Sequence, residues 1–183
     1  NYMGALQATS LLIRDKCDIL IHINVNVNKS APAYDRIWAF QATCEEYHVP
    51  YDIDLSVKGA SYHELLDVIR EIFNKIESKY PDQKKGIFLA NDTYANMFLN
   101  LIFQKYGTFP STYEIVGFDN SPIASEAILP ITTIGQQIDV IAKTAMDLLV
   151  QQMEEQKKRV PKPLGEPIHK QITPILIRRN TTE

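Results

Sequence analysis

The chain of 183 residues is poor in the features that would name a chemistry outright. Its two cysteines, Cys17 and Cys44, lie far apart and outside any CxxC spacing, which argues against a disulfide scaffold and for two reduced core thiols. Its four histidines (His22, His48, His63 and His169) are scattered and form no metal-ligand spacing. Gly-Xaa-Ser-Xaa-Gly, P-loop and Gly-Xaa-Gly-Xaa-Xaa-Gly motifs are missing, which removes the usual nucleophile elbow and phosphate cradles. Asp52 and Asp54 share one face of an extended run without a facing acid, so a glycosidase pair has no support. No catalytic residue, metal site or cofactor is therefore expected. Basic residues gather only at Lys157-Lys158-Arg159 and Arg178-Arg179, and the net charge is −3, so no basic face for gripping nucleic acid is expected. No apolar run has the length of a membrane span, and no basic-then-apolar leader stands at Asn1. A cytoplasmic protein without membrane contact is the default expectation.

What remains is a chain 45% hydrophobic, able to bury a core, in which strand and helix patterns alternate. Residues 4–15 read as a helix with Leu6, Thr9, Leu12 and Ile13 at helical spacing. The β-branched run from Asp18 to Val25 reads as a strand, Asn26 to Pro32 as a polar loop, and 33–48 as a helix ended by Val49-Pro50. Tyr51–Val57 reads as a strand. Ser61 and Glu64 have the spacing of a capping box, followed by Leu65, Ile69, Ile72, Phe73 and Ile76 on one helix face. Gly86–Ala90 predicts a buried strand, Asn91 or Asp92 the cap of the next helix, and Gly107 its end. Residues 114–118 predict another strand, 131–134 a further extended run, and 138–156 a long helix with a wide apolar stripe. A Pro-rich link then leads to a last strand over 168–177, interrupted at Pro174. This alternation predicts an α/β fold with a parallel sheet and right-handed crossovers.

Polar side chains just past the ends of parallel strands line the crevice where such folds bind ligands. Arg36, Asn91, Asp119 and Gln136 occupy such positions. Together they supply a planar donor fork, a carboxylate acceptor for adjacent hydroxyls, and amides able to do either. The alternatives stay open at this point: an Arg36–Asp119 tie between loops, and helix capping by Asn91. Asp92 reads as a cap for the helix starting at Thr93. Trp38, two residues beyond Arg36, faces elsewhere and reads as a packing or partner contact.

Several segments carry a resemblance, in register along nearly the whole chain. They are Gly4-Ala-Leu-Gln-Ala-Thr-Ser-Leu-Leu, Arg36-Ile-Trp-Ala-Phe40, Leu89-Ala-Asn-Asp92, Pro110 to Gly117-Phe-Asp119, Leu129-Pro-Ile-Thr-Thr-Ile-Gly-Gln136 and Ile175-Leu-Ile-Arg-Arg-Asn-Thr-Thr182. They resemble the effector-binding domain of the lactose-repressor (LacI/GalR) family of bacterial transcription regulators, a two-lobed fold like that of periplasmic sugar-binding proteins. Two departures stand out: Arg14-Asp-Lys-Cys17 replaces the usual Leu-Gly-His, and Lys58-Gly-Ala-Ser61 lacks an aromatic.

The resemblance implies a small-molecule effector, a sugar or similar polar metabolite, held by Arg36, Asn91, Asp119, Gln136 and Ser30, with Pro32 nearby. It implies a homodimer, with helix 61–79 and the Tyr94–Phe103 helix (Met97, Leu99, Phe103) as candidate interface. It also implies operator DNA bound through an N-terminal helix-turn-helix outside this sequence. The expected organisation is a helix of the N-terminal lobe at 1–16, the C-terminal lobe at 17–134, a helix returning to the N-terminal lobe at 135–160, and a closing strand and tail at 161–183. The alternative is a solute-binding protein of a transport system, which shares the fold.

Overall fold

Alternation along one strand sets the two faces of this molecule. In β1 (Ile19–Val25), Ile19, Ile21 and Ile23 point to one side and Leu20 and His22 to the other, because successive side chains leave a strand in opposite directions. In the computed structural model, which describes residues 1–26, 32–58, 61–160, 163 and 165–183, both faces are covered. Helices α1 (Tyr2–Arg14) and α2 (Pro32–Glu46) cover the Leu20 side. After β2 (Tyr51–Val57), α3 (Tyr62–Lys79) covers the Ile21 side. The chain continues through β3 (Lys85–Leu89), α4 (Asp92–Tyr106), β4 (Tyr113–Phe118) and a short α5 (Pro122–Glu126). It ends with β5 (Thr132–Gly135), α6 (Ile138–Gln156) and β6 (Ile175–Ile177).

The six-stranded sheet has the order β2-β1-β3-β4-β5-β6, parallel through β5 and antiparallel at β6. The expected α/β fold is therefore present, with a mainly parallel sheet. The antiparallel end has a mechanical cause. The chain leaves β5 at its C-terminal end into α6 and returns to the same end, where Gln137 Nε2 donates to the Thr173 carbonyl at 2.6 Å and Gly135 pairs with Ile175. A strand entering there can only run back down. Strand β6 is also shorter than the expected 168–177: residues 168–174 form no ladder.

Local signals are met where they are strongest. Ser61 and Glu64 form the reciprocal capping box of α3. Gly107 ends α4 at φ +70, a left-handed conformation in which a side chain would be strained. Helix α5 was not expected from the sequence. Helix α1, expected from the resemblance to belong to the N-terminal lobe, packs on this sheet: Ala5, Ala8, Leu11 and Leu12 are buried against Leu20, Phe88, Val116 and Ile134. Its small residues allow the approach, since a Cβ on Gly4 would come within 2.8 Å of both Ile134 and Phe118.

Candidate functional site

Strand order 2-1-3-4-5 reverses direction between β1 and β3, so α2 leaves to one face and α4 to the other. A crevice must open between their first turns, outside the C-terminal ends of the strands. Arg36 stands there. Its Nε donates to Asn1 Oδ1 at 3.0 Å, its NH1 donates to the carbonyl of Ala90 just past β3, and its guanidinium lies 3.8 Å from the Phe118 ring centroid. Burial pushes the guanidinium down from its ordinary value, while the nearby Asp119 carboxylate acts in the other direction.

Asp119 follows β4 at φ +100, outside the conformations a non-glycine residue prefers. It is held there by its own amide, which donates to the Ile134 carbonyl at 2.8 Å, and by Gln136 Nε2, which donates to its Oδ1. Asn120 (φ +52) is fixed next to it by Arg179, whose NH2 donates to Asn120 Oδ1 at 2.8 Å. A cleft of about 390 Å³ runs from Asp119 and Asn120 past Gln136 to Ile138 and Ile175.

The structure thus brings Arg36, Asp119 and Gln136 to one end of the sheet, with a donor fork and an acceptor carboxylate close enough to influence each other. Asn91 stands between β3 and α4, where its side-chain Oδ1 accepts from the Tyr94 amide at 2.9 Å and so caps the helix. Ser30 lies outside the described residues. Trp38 is exposed and meets Tyr2 with ring centroids 5.2 Å apart.

Asp92 does a different job from the expected cap. Buried at the first turn of α4, it accepts from Thr133 Oγ1 at 2.6 Å and from the Ser121 amide at 2.7 Å, tying β5 and the β4–α5 turn to α4. Desolvation raises its carboxyl above the ordinary range. The signal for this was Gly117: a Cβ there would stand 2.3 Å from Asp92 Oδ1.

His22 is the centre of a buried polar network. Wholly buried, it stacks on Phe88 at 4.5 Å, with Nδ1 2.8 Å from the Phe88 carbonyl and Nε2 3.1 Å from Asn24 Nδ2. That network fits a neutral ring protonated on Nδ1, and burial pushes its pKa down to about 4.

The acidic pair and the two thiols singled out from the sequence are held structurally. Asp52 pairs with Lys79 at 2.8 Å and Asp54 with Lys75 at 3.1 Å. Burial pushes the Cys17 and Cys44 thiols up to about 12, too high for a nucleophile at neutral pH. Among the described residues no group of three His, Cys, Asp or Glu could hold a metal ion, and no helix is long and apolar enough to cross a membrane. Two of the three residues expected at a dimer interface are corrected, because Met97 and Leu99 are buried in the lobe's own core.

A model of the periplasmic binding protein-like domain matches residues 11–182. The chain belongs to that family. Among sequence relatives it is 26% identical over 181 residues to the ribose operon repressor of Halalkalibacterium halodurans, covering 99% of this chain and 50% of the repressor. It therefore spans about half the length of that relative. Its fold is similar to that of a LacI family transcriptional regulator from Arthrobacter in complex with lactose (TM-score 0.79, 17% identity, 100% of this chain and 65% of that one). It is also similar to one from Enterococcus faecium with bound ribose (TM-score 0.73, 18% identity, 99% and 62%). The LacI/GalR resemblance read from the sequence is borne out by these matches, and with it the periplasmic-binding-protein-like lobe.

Proposed function

We propose that this chain is the greater part of the effector-sensing domain of a LacI/GalR-type bacterial transcription repressor, and that its crevice takes a sugar or similar neutral polar metabolite. The observation that supports this reading is that Arg36, Asp119 and Gln136 all stand at the C-terminal end of the sheet, Arg36 over the Phe118 ring next to Asp119 and Gln136 hydrogen-bonded to Asp119, with Asn91 at the end of β3. A sugar presents adjacent hydroxyls, each both donor and acceptor. A fixed guanidinium and a carboxylate a short distance away meet both needs. Ser30 belongs to the same set by resemblance. The relative named as a ribose operon repressor favours a regulator over a transport solute-binding protein.

In this reading α6 packs in the whole protein against a second lobe, and the effector bridges the two lobes. It favours the lobe arrangement that it binds more tightly, and that difference in affinity bounds the regulatory effect. The protein acts as a homodimer in the cytoplasm and meets operator DNA through a helix-turn-helix encoded outside this sequence. It performs no catalysis and needs no cofactor.

The test is a thermal-shift titration of the full-length protein with D-ribose and other sugars. A ligand at a hundredfold excess over Kd stabilises the native state by about 2.7 kcal/mol. Asp119→Ala should abolish that shift while the protein stays folded. A full response in the Asp119→Ala protein would remove the crevice from consideration.

A further inference from the structure

Arg36 is held in a way that its own helix does not account for. Two of its five N–H groups are committed, Nε–H to Asn1 Oδ1 and one on NH1 to the Ala90 carbonyl, leaving three. One face of the guanidinium is covered by Phe118, a side chain only 1% exposed. That ring is itself set from behind. Phe88 lies 6.4 Å away on one side, and α1 presses on it where Gly4 has no Cβ. An alanine at Gly4 would put its methyl 2.8 Å from Phe118 Cε2 and 3.0 Å from Cζ, closer than such carbons approach, so the ring would have to turn or retreat.

We infer that Phe118 is a positioning residue for Arg36, and that α1 sets the posture of the binding arginine, directly through its cap Asn1 and indirectly through Gly4 and the Phe118 ring. The mechanism is geometric. With one face against an aromatic ring and two N–H groups anchored, the guanidinium keeps only in-plane donors for a ligand, and their plane is the ring's choice. A guanidinium free to rotate would lose orientational entropy on binding, whereas one held flat has already lost it. Cation–π contact adds attraction to the constraint. The consequence for affinity rests on the sugar-sensing reading; the positioning itself does not.

The experiment uses the full-length protein and two variants, Phe118→Leu, which removes the aromatic face, and Gly4→Ala, whose methyl meets the Phe118 ring and Ile134 but is not itself a contact of Arg36. Rotation of the Arg36 guanidinium about its Nε–Cζ bond is followed by NMR, and D-ribose affinity is measured by calorimetry. Expected results are a faster Arg36 rotation in both variants, as the ring that holds the guanidinium flat is lost or moved, and at least a tenfold weaker ribose affinity in folded protein. An unchanged rotation rate in a folded variant overturns the inference, whatever happens to ribose or to chemical shifts. A faster rotation in a protein whose wild type ignores ribose upholds the positioning and counts against ribose as effector. If Phe118→Leu fails to fold, Gly4→Ala gives the same reading alone.

Discussion

Helices α4 and α6 carry comparable apolar content and meet opposite fates. Along α4, Ala95, Phe98, Leu99 and Ile102 are wholly buried, the first turn is capped by Asn91, and the last is closed by Gly107. Along the 19 residues of α6 nothing is buried, Gln137 at its start makes no side-chain cap, and Ile138, Met146, Leu149 and Met153 are each at least half exposed. An apolar stripe is a demand for a partner, not evidence of one. In α4 local and tertiary signals agree, whereas in α6 the stripe stands without cover from this lobe.

The contrast can be broken or sharpened by substitution. Phe98→Ala in α4 should cost about 3–5 kcal/mol in urea unfolding, since it empties a core site. A cost below about 1 kcal/mol would mean that the lobe repacks freely and that burial in α4 says little. Next in size is Gly117→Ala, which drives a methyl into Asp92 and should cost about 1–3 kcal/mol by overpacking.

Acid probes the same core. A folded-state pKa near 4 for His22 lies below its ordinary value of 6.5, so the unfolded chain takes up the proton first. The stability contributed by the neutral ring is full above pH 6.5 and falls as pH drops toward about 4, at a limiting slope of roughly 1.4 kcal/mol per pH unit. Asp92 and Glu114, raised by burial, act in the opposite sense, so the slope is read as the difference between wild type and His22→Phe. Equal slopes would refute a neutral His22.

Asn91→Ala should cost about 1 kcal/mol through the lost cap of α4, before any effect on ligand. Smallest of all, Leu149→Ala in α6 should change the stability of this chain alone by less than about 0.5 kcal/mol. In full-length protein, a cost of several kcal/mol for the same change would place α6 in a second core.

The sequence was most legible where the physics is local. The alternation of Ile19, Ile21 and Ile23, the Ser61–Glu64 box and the Gly107 stop each depend on residues close in the chain, and each is found as read. The convergence of Arg36, Asp119 and Gln136 followed from strand ends in a parallel sheet. What escaped depends on distant partners. Asp92 looks like a cap until Thr133 and Ser121 arrive from residues far along the chain, and α1 reads as an orphan until Gly4 and Ala8 are seen against the sheet. The direction of β6 depends on where a long excursion returns, which no local pattern records. Yet the small residues at Gly4 and Gly117 were visible throughout. Both mark places where something must come very close.

The antiparallel pairing of β6 with β5 makes the end of this fold a β-hairpin whose loop, from Gln136 to Pro174, happens to contain a helix. Gly135 and Ile175 are ladder neighbours, so the two ends of that loop are already joined across a single strand spacing. The excursion is thus an insertion in the engineer's sense: a two-residue turn that keeps Gln136 on Asp119 could replace the rest of it without asking the sheet to move. Shortened in that way, the lobe would be a self-contained scaffold, with half of a binding site displayed on its open end.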